Sequence, residues 1–294
     1  MRMAGRRVSS NVDDRRGRSA KMAGGLGLGG ILLVALFAYL SGSNPIEALL
    51  GAVSNGGGLV PASSQQADPS EPYQPSPEEE KLATFAKQVL AGTEDIWSDI
   101  FAQMGRTYQP AKLVLFTDTV QSGCGGATKQ TGPFYCSADS SVYVDLSFFS
   151  SMQSQLGAGG DFAYAYVIAH EVGHHVQHLL GTLDEAHALM QRLDKEQANQ
   201  VSVRLELQAD FYAGVWAHHD NARFGSLEDG DIEEAMRCTK VIGDDYLQKQ
   251  ARGYVTPDSF THGTSASRTR WFKRGLSRGN LADGDTFSIA YEDL

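Results

Sequence analysis

Cysteine is scarce in this chain, with three residues among 294. Eleven residues separate Cys124 from Cys136 in a glycine-rich stretch, and no further cysteine or close histidine accompanies them. Such a lone pair argues against a cysteine-ligated zinc site. In an oxidising compartment we expect the two thiols to form a disulfide, the alternative being two unpaired cysteines. Cys238 is left over, and its apolar neighbours predict a buried core thiol.

Positive charge is also in short supply, because 25 Lys and Arg residues face 35 Asp and Glu residues, for a net charge of −10. Seven of the basic and two of the acidic residues lie within positions 1–21, so 18 basic and 33 acidic residues remain for the rest. A strongly acidic body disfavours binding to nucleic acid and to anionic membrane surfaces. We therefore expect no nucleic-acid partner.

Long apolar runs are rare, but Met22–Gly42 is a stretch of 21 residues that contains no charge. About 20 residues are needed to cross a bilayer as a helix. The basic tail at 1–21 predicts a cytoplasmic N-terminus, one transmembrane anchor at 22–42 and an exported domain after it, in a single-pass protein of the cell membrane. A cleaved signal peptide is the alternative. Residues 43–76 are rich in Gly, Ser and Pro and predict a flexible linker to a domain at 77–294.

What the chain does contain is a His-Glu-x-x-His sequence, with His170, Glu171 and His174. On a helix, two histidines four residues apart lie on one face and can bind one zinc ion. The carboxylate of Glu171 can then reach a water on that metal and act as general base. The surrounding Asp161–Leu180 has no proline and shows helical spacing of apolar residues, with Asp161 as a plausible N-cap.

A catalytic zinc ion takes three protein ligands. One subclass of zinc hydrolases has a third histidine six residues after the second, but this chain has Leu180 at that position. We interpret His175 and His178 as solvent-facing or hydrogen-bonded locally. A second helical segment, Val201–Asp220, carries Glu206 and Asp210 four residues apart. Glu206 is the expected third zinc ligand, and Asp210 is expected to accept the free N–H of a ligating histidine. The alternative is an ordinary solvated acidic stripe.

Several motifs resemble those of one family, the bacterial neutral zinc metallopeptidases, small membrane-anchored proteins of the gluzincin group. The resemblance runs from about Pro75 to about Gly275. It implies one zinc ion held by His170, His174 and Glu206, with Glu171 as general base. The motifs are HEVGHHVQ at 170–177, ELQADFYAG at 206–214, IGDDYLQ at 242–248, HGTSASRTRWFKRG at 262–275 and CGGATKQTGPFYCSADSSVYVDLSFF at 124–149.

The second helical segment is also similar to that of membrane-linked gluzincins related to prenyl-protein proteases. In those proteins a later histidine segment approaches the zinc. His262 is the matching residue and is expected to be catalytic, although Gly263 stands where those relatives usually have proline.

The predicted fold is α+β and zincin-like: mainly helical, with a small antiparallel sheet packed on the His-Glu-x-x-His helix and one transmembrane helix before it. A helix is predicted over 77–104, because acidic residues lie at the start of this segment. Alternating or apolar runs predict a strand at 112–117 and a hairpin formed by 134–136 and 141–146. A further helix is expected over 232–250. Tyr143–Asp145 is the candidate edge strand for an extended substrate, or else an ordinary half-buried strand.

These features predict a membrane-anchored zinc metallopeptidase acting on a peptide or protein substrate. His262 or Arg268 would donate to the developing oxyanion, although Arg268 could instead pair with a surface carboxylate. The alternative is a non-catalytic zinc-containing binding or assembly factor of the same fold. A closed structural zinc site is a third possibility, with His262 as the sole candidate for its fourth ligand. The oligomeric state stays open at this point.

Overall fold

The computed structural model describes residues 1–18 and 73–294. Within them the chain forms eight α-helices: α1 Pro77–Gln103, α2 Ser147–Leu156, α3 Asp161–Leu180, α4 Thr182–Met190, α5 Lys195–Phe224, α6 Asp231–Val241, α7 Asp244–Arg252 and α8 Ser265–Arg278. The strands are β1 Val12–Asp14, β2 Lys112–Phe116, β3 Thr119–Ser122, β4 Gly125–Thr128, β5 Phe134–Cys136 and β6 Ser141–Asp145. A mainly helical α+β protein is therefore what the chain forms.

The larger sheet has the strand order β1-β2-β6-β5. β1 and β6 both run parallel to β2, while β5 runs antiparallel to β6, so the sheet is mixed and not antiparallel as predicted. The assignment of Tyr143–Asp145 to an edge is wrong for Tyr143, which pairs with both β2 and β5, whereas Val144 and Asp145 pair with β2 alone. The edge strand on this side is β5. β3 and β4 form a separate antiparallel pair.

A disulfide joins β5 to this separate hairpin. Cys136 at the end of β5 is bonded to Cys124, which lies in the turn between β3 and β4. Cys238 on α6 is a buried free thiol beside the sulfur of Met152. The predicted Cys124–Cys136 disulfide and the predicted buried thiol of Cys238 are both confirmed.

The central helices pack around α5, and the most extensive of these packing contacts is the one with α8. Gly275 of α8 touches α5 so closely that a Cβ built there would lie 2.0 Å from the carbonyl oxygen of Phe211. The core on either side of this crossing is aromatic, with Trp216, Phe211 and Phe272 all at most 1% exposed. The absence of a side chain at Gly275 is thus what lets the two backbones meet.

Two details of the helices differ from the predictions. The single helix expected over 232–250 is broken at Ile242 and Gly243 into α6 and α7. The break lets Asp244 accept hydrogen bonds from three consecutive backbone N–H groups, those of Thr261, His262 and Gly263. Asp161 is not the N-cap of α3, because the cap position is Gly160 and the free N–H of Phe162 donates to Glu234.

The N-terminal residues 1–18 pack onto the body of the protein. β1 pairs with β2, with Val12 opposite Leu113. The Arg6 guanidinium bonds the fully buried carboxylate of Asp220 on α5 at 2.6 and 3.1 Å. Ser9 bonds Glu94 on α1 at 2.5 Å. This N-terminal arm therefore belongs to the same folded unit as residues 73–294.

The predicted transmembrane topology is corrected by two findings. No helix within residues 1–18 and 73–294 is long and apolar enough to cross a membrane. In addition, a single crossing after the tail would put residues 1–18 and residues 73–294 on opposite sides, whereas the structure packs them together. A single-pass protein with a cytoplasmic tail and an exported domain is therefore not what the structure supports. The segments 22–42 and 43–72, assigned to the anchor and most of the linker, lie outside the described residues.

Candidate metal centre

The centre is built where α3 and α5 cross. At Gly173, between the two motif histidines, a Cβ would lie 2.9 Å from the carbonyl oxygen of Ala209 on α5. Glycine at this position lets the two helices approach within backbone contact. The approach brings Glu206, one turn before Ala209, opposite His170 and His174.

Three potential ligand atoms converge there. The Nε2 atom of His170 lies 3.2 Å from one carboxylate oxygen of Glu206, and the Nε2 atom of His174 lies 3.4 Å from the other. Ligand atoms about 2.0–2.1 Å from a tetrahedral zinc ion would lie about 3.3 Å from one another. The two nitrogens and the carboxylate therefore have the spacing and the chemistry that zinc requires.

The set has three members. Among residues 1–18 and 73–294, His170, His174 and Glu206 form the one group of three or more His, Cys, Asp or Glu side chains with ligand atoms this close together. His262 is not part of it. Three protein ligands with a free fourth position are typical of catalytic zinc, while structural sites are closed by four.

Charges within the centre favour a cation. Burial opposes a charged imidazole, but the carboxylates of Asp210 and Glu206 outweigh it and raise the pKa of His170 to about 10. Burial likewise opposes the carboxylate of Glu206, yet the two histidines hold its pKa well below the usual range. A metal ion bound at the centre would therefore compete with protons for the same ligand atoms.

Asp210 lies behind His170 and accepts hydrogen bonds from three side chains. Its carboxylate accepts from Nδ1 of His170 at 2.8 Å, from Arg268 at 2.8 and 3.0 Å, and from the hydroxyl of Tyr166. Bonding at Nδ1 leaves Nε2 of His170 free to face Glu206. Arg268 is 3% exposed, so the alternative of a pairing with a surface carboxylate is wrong; its guanidinium bonds Asp210 and lies 3.8 Å from Glu206.

Glu171 lies beside the same group of side chains. Burial raises the pKa of its carboxyl group, and the neighbouring negative charge of Glu206 acts in the same direction. The two histidines and the backbone N–H of Tyr135, on edge strand β5, lower that pKa. A carboxyl group with a raised pKa next to potential metal ligands suits proton transfer near neutral pH.

His262 approaches from the loop before α8. Its Nδ1 lies 3.2 Å from Asp244, whose other carboxylate oxygen accepts the three loop N–H groups. Burial lowers the pKa of His262, but Asp244 and, more weakly, Glu206 raise it overall. His262 thus stands near Glu206 with its ring held by Asp244. The IGDDYLQ motif contained Asp244, but nothing in its spacing pointed to His262.

Sequence reasoning also missed Gln177. It is fully buried, and its side-chain oxygen lies 2.8 Å from Nδ1 of His174. A residue three positions after His174 lies on the same helix face, so the spacing could have indicated this contact.

The two extra histidines of α3 occupy different surroundings. His175 is not solvent-facing: it is 1% exposed and bonds the hydroxyl of Tyr135 and the carbonyl of Gln109. Burial lowers the pKa of His175 to about 4. His178 is partly exposed and bonds Asp184, as a local contact.

Two helices that present two histidines and a glutamate, with a second glutamate beside them, define the class of zinc-hydrolase-like metal centres. Comparison with known families agrees with that class. The profile of the family described as "Putative neutral zinc metallopeptidase" matches residues 1–287, and the chain belongs to this family.

Curated relatives carry no functional name. The Escherichia coli K12 protein called "Uncharacterized protein YpfJ" is 46% identical over 294 residues, which cover 98% of this chain and 99% of the relative. "Uncharacterized protein Rv2575" of Mycobacterium tuberculosis H37Rv is 41% identical over 193 residues, covering 62% of this chain and 64% of that protein. No solved structure matches the chain.

Proposed function

We propose that this protein is a zinc-dependent peptidase that hydrolyses peptide bonds in a peptide or protein substrate, with one zinc ion per chain. The observation that carries the proposal is the three-member centre itself: His170, His174 and Glu206 have zinc spacing, and Glu171 stands beside them with a raised pKa. Glu171 is not needed to hold a metal, so its presence favours catalysis over binding alone.

Zinc, when bound, supplies a Lewis acid that polarises the peptide carbonyl and makes water more acidic. Glu171 accepts the proton of the attacking water and then delivers it to the leaving amine. His262, held by Asp244, donates a hydrogen bond to the oxygen that becomes negative in the transition state. Arg268 is occupied by Asp210, so its part is to hold the carboxylate that orients His170.

The sheet edge next to Glu171 suits an extended substrate. β5 pairs with β6 on one side only, and its Tyr135 backbone N–H reaches Glu171. A peptide can add to such an edge through backbone hydrogen bonds. This assigns substrate alignment to Phe134–Cys136 in place of Tyr143–Asp145.

The decisive test compares the wild type with Glu171→Gln. We expect both to bind one equivalent of zinc, because Gln keeps the size of Glu and the three ligands are untouched. Cleavage of a peptide library should fall about 10²–10⁴-fold in Glu171→Gln, mainly in kcat, because the general base is lost. Glu185→Gln, an exposed glutamate on α4, is the matched control and should cleave like the wild type.

Two outcomes would contradict the proposal. Cleavage by Glu171→Gln at the wild-type rate would eliminate Glu171 as the base. A wild type that binds zinc but cleaves no peptide in a broad library would favour the alternative, a zinc-containing binding or assembly factor.

A further inference from the structure

A chain of buried amides runs from the centre to the C-terminal part of the protein. The side-chain oxygen of Gln177 faces Nδ1 of His174 at 2.8 Å. The nitrogen of the same amide donates to the backbone carbonyl of Leu205 at 2.7 Å and to the side-chain oxygen of Gln208 at 3.1 Å. The nitrogen of Gln208 donates in turn to the backbone carbonyl of Gly284 at 2.9 Å.

The two backbone carbonyls fix the direction of every hydrogen bond in this chain. A carbonyl oxygen accepts and never donates, so the groups facing Leu205 and Gly284 must be amide nitrogens. The oxygen of Gln208 then faces the nitrogen of Gln177, and the oxygen of Gln177 faces the ring of His174. Only a protonated Nδ1 can donate to that oxygen, which leaves the lone pair of His174 on Nε2, the atom that faces Glu206.

Gln177 also connects the two helices that carry the centre. It belongs to α3 with His174, and it bonds the carbonyl of Leu205, the residue before Glu206 on α5. A single uncharged side chain therefore touches one potential ligand and the backbone next to another. The partner of His170 differs from that of His174, because the Nδ1 atom of His170 faces the charged carboxylate of Asp210.

We infer that Gln177 is a positioning residue for zinc: it fixes the tautomer and ring orientation of His174, and Gln208 fixes the amide of Gln177 by anchoring it to Gly284. The inference rests on the proposed function in one respect, namely that His170, His174 and Glu206 bind zinc. Partners of this kind behind a ligating histidine are worth about 10–100-fold in metal affinity.

Zinc affinity, measured by competition with a chelator, tests the inference without any assay of activity. Gln177→Met fills the same space without hydrogen bonds and should bind zinc about 10–100-fold more weakly than the wild type. Gln208→Met should weaken zinc binding less than Gln177→Met does, because Leu205 still anchors the amide of Gln177. Adding Gln208→Met to Gln177→Met should cause little further loss, since residues in one network are not additive. Gln197→Met, an exposed glutamine at the start of α5, is the matched control and should bind zinc like the wild type.

A second readout separates positioning from a general loss of structure. In the zinc-loaded wild type, the Nδ1–H proton of His174 should give an NMR signal protected from exchange with water. The signal should be lost or exchange rapidly in Gln177→Met, while the far-ultraviolet circular dichroism of the apoprotein stays unchanged.

The outcomes for this inference and for the proposed function are distinct. A wild type that binds no zinc would overturn the proposed centre itself. A wild type that binds zinc, together with a folded Gln177→Met that binds it equally well, would overturn the role of Gln177 alone. Equal weakening by Gln197→Met would also overturn it, because the effect would then be unrelated to the amide chain.

Discussion

His175 differs from the motif histidines His170 and His174 in that it faces the core and not the metal centre. Its Nδ1 accepts from the Tyr135 hydroxyl and its Nε2 donates to the carbonyl of Gln109, so both ring nitrogens are used by a neutral imidazole. Burial lowers the pKa of His175 to about 4, against about 6.5 for an exposed histidine. The unfolded chain therefore binds a proton at His175 more readily than the folded protein does.

This difference predicts acid sensitivity. Between about pH 6.5 and pH 4 the unfolded state takes up the proton first, so the stability contributed by neutral His175 is lost as the pH falls. Gln can accept from Tyr135 and donate to Gln109 without titrating. We expect His175→Gln to lose about 2–3 kcal/mol less unfolding free energy than the wild type between pH 7 and pH 4.5.

Urea unfolding of the two proteins at both pH values measures this difference. His178→Gln, at a more exposed position of the same helix, is the control. Identical losses in the wild type and His175→Gln would show that His175 is not a source of the acid sensitivity.

The residues of the metal centre were predictable to different degrees for physical reasons. Glu206 and Asp210 sit four residues apart among apolar neighbours, and such a pair on a buried helix face requires partners. The role of Gln177 depends on the carbonyls of Leu205 and Gly284, which are brought to it only by folding. Spacing along α3 alone could indicate its contact with His174 but not the direction of the hydrogen bonds.

At the scale of the elements, the crossing of α5 and α8 depends on one missing side chain. A Cβ at Gly275 would lie 2.0 Å from the carbonyl oxygen of Phe211 and 2.9 Å from the backbone nitrogen of Val215, so α8 would have to move. Overpacking of a dense core typically costs about 1–3 kcal/mol. We expect Gly275→Ala to lower the free energy of unfolding by at least this amount, despite the higher helix propensity of alanine.

Thermal and urea unfolding of Gly275→Ala against Ser277→Ala, an exposed position on the same helix, would measure this effect. Because α8 carries Arg268, which holds Asp210, the zinc affinity of Gly275→Ala should fall as well. Stability equal to that of Ser277→Ala would mean that the helices can separate here without cost.

The elements themselves were predicted best where a local pattern decides the structure. α1 was predicted from its acidic first turn, and the β5–β6 hairpin from alternation over short strands. The interior position of β6 depends on β2 pairing with it in parallel, a contact that no local pattern encodes. The break between α6 and α7 likewise depends on the distant loop that Asp244 binds.

The largest disagreement between sequence and structure concerns the molecule as a whole. A basic tail before an uncharged stretch predicted two compartments, yet the tail supplies a strand to the main sheet and cations to an acidic body. Arg7 bonds Asp95 of α1, and Arg16 bonds Glu80 at the start of α1. Acidic side chains of the same protein therefore pair with the positive charge of the tail. The sequence alone had suggested that this charge orients the protein in a membrane.

The ion pair between Arg6 and Asp220 holds this N-terminal arm in buried surroundings, since the two side chains are 10% and 0% exposed. Removing one partner of a buried pair leaves the other charge without compensation, at a cost of about 3–5 kcal/mol. We expect Arg6→Met to lower the free energy of unfolding by about this amount and to increase hydrogen exchange at β1. Arg2→Met, which removes a 64% exposed partner of Glu228, should change stability by less than about 1 kcal/mol.

A double-mutant cycle shows whether the loss comes from the unpaired carboxylate. Asn at position 220 removes the charge that Arg6 neutralises, so Arg6→Met combined with Asp220→Asn should cost less than the two single changes added together. Additive losses would mean that the two side chains act separately. Wild-type stability and unchanged exchange at Val12–Asp14 in Arg6→Met would show that this pair does not secure the arm. The attachment of residues 1–18 to the body of the protein would then depend on the β1–β2 pairing and on the arm's other contacts, such as those of Ser9 with Glu94 and Arg7 with Asp95.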